Sequence, residues 1–255
     1  MQVTWLASYP KSGNTWLRFF LYAYRYGVPR ESNELDQRIP DLHALDRQRG
    51  LDGFGERVLC KTHLLMNPRH PFQTETTGFI HILRHPKDVL LSNLNYALIG
   101  DENLDRRAFA EDFIAGMGVP RWKSAGMGDW PGHLASWEQA ASRFPHLFLR
   151  FEHMKANPQA EFARVVEFLG WPRDDAKLAE VVEAVSLPKL RAMEERERQA
   201  GKISRIFYTA YETSARFINR GASGQSLEPL GEGLDRLFDD RFRQELIRLG
   251  FETPA

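Results

Sequence analysis

The chain has 255 residues, of which 42% are apolar and 12% aromatic, enough to bury one sizeable hydrophobic core. Basic and acidic residues both number 34, so the charge balance excludes a strong electrostatic attraction to nucleic acid or an anionic membrane. Cys60 is the only cysteine, and the N-terminus has no long apolar signal region. We therefore expect a single domain over residues 1–255, in the cytoplasm, without a membrane span.

Short apolar runs alternate with helical patterns along the chain. The apolar runs predict buried strands at Val3 to Ser8, Arg57 to Lys61, Phe79 to Leu83 and His146 to Phe151. The helical patterns cover Thr15 to Tyr26, Lys87 to Leu98, Leu134 to Arg143, Gln159 to Leu169, Ala176 to Val185 and Leu234 to Leu249. This alternation predicts an α/β fold with a mainly parallel central sheet flanked by helices, which binds ligands at the carboxyl ends of its strands. The charge run Glu194 to Arg198 is interpreted as a solvated helix face.

The stretch SYPKSGNTW joins the first predicted strand to the first predicted helix. A turn at Gly13 before a helix that starts near Asn14 and Thr15 leaves backbone N–H groups free to bind an anion. Lys11 adds a charge, and Ser12 and Thr15 add hydroxyl donors, so a phosphate or sulfate fits. The alternative is an ordinary strand-to-helix turn with a capping side chain.

A P-loop nucleoside triphosphatase is the obvious rival for this loop. Its signature places the lysine after the second glycine, whereas Lys11 precedes Gly13. The third strand ends in Arg84 and offers no Asp to hold Mg²⁺. We therefore expect chemistry that uses cationic side chains and no metal.

The second strand ends in the residues KTH. Alternate residues of a strand share a face, so Lys61 and His63 are predicted to point into one cleft near Lys11 while Thr62 points away. A neutral histidine can accept a proton from a hydroxyl group near neutral pH. A structural role for His63 is the alternative. No site role is assigned to the other histidines, and His81 and His85 do not form a helical metal pair.

The third strand is followed by LRHPKDVLLSNLNY. Pro86 suits the first turn of a helix, which places Arg84 in the turn and Ser92 about two turns along the helix. The planar guanidinium of Arg84 and the hydroxyl of Ser92 suit a second phosphate. The alternative is that Arg84 pairs with a nearby carboxylate such as Asp88.

Together these motifs resemble the family of sulfotransferases that use 3′-phosphoadenosine 5′-phosphosulfate (PAPS). SYPKSGNTW resembles the family's 5′-phosphosulfate loop, KTHL its catalytic-histidine strand, and LRHPKDVLLSNLNY its 3′-phosphate motif. HLASWEQA, FEHMKANPQAEFARVVEFLG and FINRGASG resemble three further family segments in the same order. The resemblance implies a P-loop-like sulfotransferase fold, with PAPS as co-substrate and PAP as product.

The resemblance also implies a role for each matching residue. Lys11 would contact the bridging oxygen, His63 would be the general base, and Lys61 would stabilise the transferring sulfonate. Trp16 would stack on adenine. The remaining residues would hold the phosphates: Ser12, Gly13, Asn14 and Thr15 at the 5′ end, and Arg84, Ser92, Arg220 and Gly221 at the 3′ end.

The chain departs from the family pattern at several positions. Phe151 replaces a tyrosine that contacts the nucleotide, so only ring packing is left there. Asn14 replaces the commoner threonine, and Asn219 stands where an arginine is usual. The family's K-T-V-E dimerisation element is absent, so a monomer is expected.

The acceptor is expected to be a small molecule that binds between two segments without a strong period. These segments, Arg30 to Gly53 and Asn103 to Gly132, are interpreted as mobile walls, and Trp122 and Trp130 favour an aromatic or apolar alcohol or phenol. Plain connecting loops are the alternative, and an amine or sugar acceptor stays open. An ATP-dependent phosphotransferase and a catalytically silent nucleotide-binding module are the competing functions.

Overall fold

The computed structural model describes residues 1–46, 50–219 and 221–253. Its strands are β1 (Gln2–Ser8), β2 (Arg57–Thr62), β3 (Thr76–Leu83) and β4 (His146–Arg150). They form one sheet of order β2-β1-β3-β4 in which every neighbouring pair is parallel. The predicted α/β fold with a parallel sheet is confirmed. Because β1 lies between β2 and β3, the carboxyl ends of these three strands meet at one edge of the sheet.

The helices of the described ranges pack around this sheet. They are α1 (Asn14–Tyr26), α2 (Pro86–Gly100), α3 (Arg106–Gly116), α4 (Pro120–Trp122), α5 (Trp130–Ala140), α6 (Phe151–Ala156), α7 (Pro158–Phe168), α8 (Asp175–Ala184), α9 (Leu187–Gln199) and α10 (Leu234–Arg248). Short 3-10 turns cover Ser32–Gln37, Leu42–Ala44 and Glu228–Leu230, and a π turn covers Lys123–Met127. In the described part of the chain, no helix is both long and apolar enough to cross a membrane.

The alternating side chains of β1 divide the core between the two faces of the sheet. Val3, Trp5 and Ala7 pack with Trp137 of α5 on one face, whereas Leu6 packs with α1 on the other. Helix α1 is buried on nearly all sides, since ten of its thirteen residues are buried. Its first turn is therefore held rigidly against the end of β1, where the predicted anion loop lies.

Two of the larger helices, α3 and α9, differ from the sequence interpretation. The segment Asn103 to Gly132 was expected to form loops, but α3 lies within it and buries Ala110, Phe113 and Ile114. Asp105 caps this helix by accepting the N–H of Ala108 at 3.0 Å. The aperiodic sequence hid the helix because only a narrow stripe of it faces the core.

The interpretation of Glu194 to Arg198 as a solvated helix face was wrong for Glu194 and Glu197, whereas Arg196 is exposed. These residues lie on α9, where Glu194 is fully buried and Glu197 is 3% exposed. Glu194 accepts the N–H groups of Phe217 and Ile218 at 2.7 and 2.8 Å. Glu197 accepts the N–H group of Ser32 at 2.6 Å. Irregular backbone has no neighbouring helix turn or strand to accept its N–H groups. The two buried carboxylates accept these hydrogen bonds instead.

Candidate active site

The loop between β1 and α1 presents uncapped backbone donors. Gly13 precedes the helix with φ 111° and no side chain caps the first turn. The N–H groups of Trp16 and Leu17 both return to the Gly13 carbonyl, at 3.0 and 3.3 Å. Within the described residues, the N–H groups of Gly13, Asn14 and Thr15 have no acceptor. This helix start can therefore bind an anion.

Three buried polar side-chain atoms in or next to this loop have no partner among the described residues. Ser12 Oγ, Trp16 Nε1 and Arg84 Nε make no hydrogen bond to the part of the chain that the structure describes. Buried polar groups are normally paired, so these three donors are suited to a polar ligand. Asn14 differs, because its side-chain amide donates to the Leu6 carbonyl at 2.8 Å and turns towards β1. Only the backbone of Asn14 is left for the loop.

Lys11 enters the cavity from a strained backbone position. Its φ of 72° is left-handed, a conformation that non-glycine residues seldom adopt. Its Nζ lies 3.4 Å from the ring centroid of Phe217 and 5.0 Å from that of Tyr96. Burial, with the positive charges of Lys61 and Arg84, lowers the pKa of Lys11 to about 7. An anion beside Lys11 would favour its charged form.

The end of β2 places Lys61 and His63 on one side, as predicted. Both side chains line the same cavity as Lys11. Thr62 points away and its hydroxyl lies 3.4 Å from His70 Nε2. His63 Nδ1 is 2.7 Å from the Ser8 carbonyl oxygen. Since a carbonyl only accepts, Nδ1 carries the proton and the lone pair of His63 lies on Nε2.

His63 is held in its neutral form. Burial lowers its pKa well below 6.5, and the nearby Lys61 and His43 lower it further. Neutral imidazole with a free Nε2 lone pair is the form that can accept a proton from a hydroxyl group. The arrangement therefore supplies a base beside two cationic side chains.

Asp41 and His43 also line this cavity, although no site role was predicted for either. Asp41 Oδ2 lies 2.5 Å from Lys61 Nζ, and His43 Nε2 accepts the N–H of His63 at 2.9 Å. Both come from the segment Arg30 to Gly53, which was interpreted as an acceptor wall. An aspartate after Pro40 is typical of a turn. This turn pattern does not predict a site, because the contacts of Asp41 and His43 with the end of β2 form only in the folded protein.

Arg84 hydrogen-bonds to two separate segments of the chain that line the cavity. It is 5% exposed, and its Nη1 and Nη2 donate to the carbonyls of Lys11 and Ala222, each at 3.0 Å. The alternative pairing with Asp88 is not found, because Asp88 accepts the N–H groups of Gly224 and Gln225 at 3.1 and 3.4 Å. The unpaired Nε of Arg84 is left as a donor.

Ser92 and Gly221 line the cavity with Arg84. Arg220, the other cation predicted for this end, lies outside the described residues.

Aromatic side chains form the floor under the loop. Phe151 lies in the cavity wall, with the Arg84 guanidinium 4.3 Å from its ring centroid. A Cβ on Gly13 would lie 2.7 Å from a Phe151 ring carbon, so only glycine allows this approach. Trp16 meets Phe151 edge-on with ring centroids 6.1 Å apart. The lost tyrosine hydroxyl thus leaves a packing role for Phe151.

The whole cavity has a volume of about 300 Å³. One part of its lining is apolar or aromatic and includes two rings beside Lys11, those of Tyr96 and Phe217. The other members of this part are Leu91, Trp122, Met127 and Tyr208. Trp122 was correctly placed near the site. Trp130 was not, because it is 1% exposed and packs against Phe242 in the core.

The sequence matches the family described as "Sulfotransferase domain" over residues 2–250. The chain belongs to the sulfotransferase family. The resemblance inferred from the motifs is therefore confirmed over nearly the whole chain.

Curated sulfotransferases are similar to this chain at moderate identity. Cytosolic sulfotransferase 8 of Arabidopsis thaliana is 26% identical over 212 residues, which is 74% of this chain and 62% of that protein. Sulfotransferase 1A1 of Rattus norvegicus is 27% identical over 199 residues, 73% of this chain and 66% of that protein. Sulfotransferase 1E1 of Mus musculus is 24% identical over 261 residues, which is 94% of this chain and 82% of that protein. The chain thus spans just under two thirds of the length of the first two relatives.

Solved structures confirm the predicted sulfotransferase fold. Mouse sulfotransferase SULT7A1, crystallised with PAP, superposes with a TM-score of 0.70 at 22% identity, over 96% of this chain and 84% of that chain. Retinol dehydratase, crystallised with retinol and PAP, gives a TM-score of 0.71 at 16% identity, over 96% of this chain and 82% of that chain. At these identities the likeness concerns the fold.

Proposed function

We propose that this protein transfers the sulfonate group of PAPS to a hydroxyl group of a small-molecule acceptor. The observation that carries the proposal is one cavity that brings together an uncapped helix start, Lys11, Arg84 and His63, whose Nε2 has no partner among the described residues. Membership of the sulfotransferase family and the PAP-bound relatives of the same fold support this substrate.

The 5′ end of PAPS would be held by the loop. The backbone N–H groups of Gly13, Asn14 and Thr15 would bind its 5′-phosphosulfate, together with the hydroxyls of Ser12 and Thr15. Trp16 would lie against the adenine ring. These donors lie between β1 and α1, so they would bind the group with geometry that is already formed.

The transfer step needs a base and stabilisation of charge on the leaving oxygen. His63 Nε2 would take the proton from the acceptor hydroxyl as its oxygen bonds to sulfur. The bond between sulfur and the bridging oxygen then breaks, and the electron pair stays on the phosphate of PAP. Lys11 would stabilise this negative charge, and Lys61 would stabilise the sulfonate in transit.

The 3′-phosphate would select PAPS over ATP, which has no phosphate at this position. Arg84 Nε, the Ser92 hydroxyl and Gly221 would bind it, and the family resemblance assigns Arg220 to the same group. Phe151 would pack beneath. No residue of this set needs a metal ion for its role.

The acceptor would lie among Leu91, Tyr96 and Trp122. This apolar, aromatic lining fits an apolar or ring-bearing alcohol or phenol. Retinol dehydratase, which shares this fold, was crystallised with retinol in one structure and with androsterone in another. A single domain over residues 1–255, a monomeric state and a cytoplasmic location stay predictions.

Labelled PAPS, incubated with a panel of phenols, alkyl alcohols, amines and sugars, tests the reaction and the acceptor class together. We expect label on a phenol or apolar alcohol. Absence of transfer to every acceptor would count against the proposal.

Calorimetry with PAP, 5′-AMP and ATP tests the 3′-phosphate assignment. Hydrogen bonds to charged groups contribute about 1.5–3 kcal/mol each, so PAP should bind at least about tenfold more tightly than 5′-AMP. Equal affinities would remove the 3′-phosphate assignment. Tighter binding of ATP with Mg²⁺ than of PAP would favour the phosphotransferase alternative.

A further inference from the structure

A short segment beside β2 is locked to the strand that carries the proposed base. Lys61 N–H donates to the Pro40 carbonyl at 2.9 Å, and Asp41 pairs with Lys61 as a parallel β-bridge. The 3-10 turn Leu42–Ala44 follows directly. Backbone pairing therefore fixes the positions of the Asp41 and His43 side chains relative to the end of β2.

Asp41 joins the segment to Lys61. Its Oδ2 lies 2.5 Å from Lys61 Nζ, and each side chain of the pair is 15% exposed. Its Oδ1 accepts the N–H of His43 at 3.1 Å. Among the described residues that line the cavity, Asp41 is the only carboxylate. It therefore balances one of several positive charges at a site that must also attract a polyanion.

His43 joins the segment to His63. Its Nε2 accepts the backbone N–H of His63 at 2.9 Å, so this nitrogen carries no proton. The two imidazole rings are nearly parallel, at 24°, with centroids 5.5 Å apart. His63 is thus held from three directions: by Ser8 at its Nδ1, by His43 at its peptide, and by His43 at its ring face.

We infer that Asp41 and His43 are positioning residues for the transfer step, which rests on the function proposed above. Asp41 holds the Lys61 ammonium at the end of β2, and His43 holds the peptide and ring of His63 so that Nε2 faces the acceptor. Neither side chain would react with the substrates. Their effect lies in the orientation of two groups that do, and a displacement of about 1 Å in such groups can cost about 10²-fold in rate.

The negative charge of Asp41 also favours the proposed role of His63 as a base. After burial, which is the largest cause, Lys61 and His43 lower the pKa of His63, whereas Asp41 raises it. Asp41 therefore keeps His63 more basic than it would be beside an unpaired Lys61. The carboxylate and the ammonium work as one unit, so their effects on rate should not add.

The role of Asp41 is tested with Asp41→Asn, Lys61→Met and the double variant. Asn keeps an oxygen to accept the His43 N–H and removes only the charge. We expect Asp41→Asn to lower kcat about 10-fold with little change in PAP Kd, and to have no further effect in the Lys61→Met background. Asp112→Asn, on the exposed surface of α3, is the matched control. Additive losses in the double variant, or an unchanged kcat in Asp41→Asn, would overturn the role of Asp41.

The role of His43 is tested with His43→Leu and His43→Gln. Gln can still accept the His63 N–H, so it should retain kcat within about threefold, whereas Leu should lose about 10-fold with PAP Kd unchanged. His153→Leu, exposed on α6, is the matched control. Equal kcat values in the Gln and Leu variants would overturn the role of His43.

Histidine NMR on the isotope-labelled protein provides a second measurement. We expect the Nδ1–H tautomer of His63 in the wild type and in His43→Gln. In His43→Leu we expect a mixture of tautomers, because a displaced His63 would no longer keep its bond from Nδ1–H to the Ser8 carbonyl. An unchanged tautomer in His43→Leu contradicts the inference even if no acceptor has been found. A wild-type protein that transfers no sulfonate refutes the proposed function separately.

Discussion

The cavity has two walls that are built in different ways. The sheet wall comprises residues 8–15, 61–63 and 84–92, and its backbone is fixed by β1, β2 and α2. The strap wall comprises residues 204–219 and 221–225, which are irregular. The sheet wall carries Lys11, Lys61 and His63. The groups proposed to act on the reacting atoms thus lie on the wall whose backbone is fixed, as expected where orientation controls rate.

The strap wall depends on carboxylates from elsewhere in the chain. Glu194 of α9 binds two of its N–H groups at Phe217 and Ile218, and Asp88 of α2 binds two more at Gly224 and Gln225. Arg84 connects the walls through its bonds to Lys11 and Ala222. Under the proposed function, the sheet wall would carry the reacting groups, and the strap wall would help to retain the nucleotide.

The largest effect should come from the sheet wall. Lys11→Ala removes the charge beside the leaving phosphate, and His63→Ala removes the base. Each should lower the rate of sulfonate transfer by about 10²-fold or more in a steady-state assay with labelled PAPS. The melting temperature of each variant should fall only slightly, because neither side chain belongs to the hydrophobic core clusters.

The controls for these variants are His153→Ala and Lys155→Ala, which are exposed on α6 and outside the cavity. A near-normal rate for either sheet-wall variant would remove that residue from the proposed mechanism. A rate lost equally in the controls would instead indicate a general effect of substitution.

The sheet wall could be predicted from the sequence and most of the strap wall could not. Apolar runs and short motifs place Lys11, His63 and Arg84 at strand ends, because strand and helix starts are local features. The contacts of Glu194 with Phe217, and of Asp41 with Lys61, join residues 23 and 20 positions apart. No periodicity encodes such pairs. Glu194 in a run of charges therefore looked solvated although it is fully buried.

The strap wall is tested by Glu194→Gln. The Gln amide would place N–H donors against one of the backbone N–H groups of Phe217 and Ile218, which leaves a buried donor unpaired. The free energy of unfolding should fall by about 1–3 kcal/mol in urea titrations. PAP should also bind more weakly, because the strap would be ordered less of the time.

Glu183→Gln, exposed on α8, is the matched control and should change stability by less than about 0.5 kcal/mol. If Glu194→Gln keeps the stability and PAP affinity of the wild type, the carboxylate is not what holds the strap wall. If stability falls and PAP affinity does not, the strap wall has no part in retaining the nucleotide.

The smallest predicted effect concerns the protonation of Lys11. The Nζ of this sheet-wall residue lies beside the ring of Phe217 in the strap wall. Its pKa of about 7 in the free protein means that much of it is neutral at pH 8. A bound phosphate would raise that pKa, so PAP binding should take up close to one proton at pH 8, and PAP affinity should fall as the pH rises above 7. Calorimetry in buffers of different ionisation enthalpy measures this uptake. Lys11→Arg stays charged throughout and should bind PAP without that proton, whereas equal uptake in both proteins would assign the proton to another group.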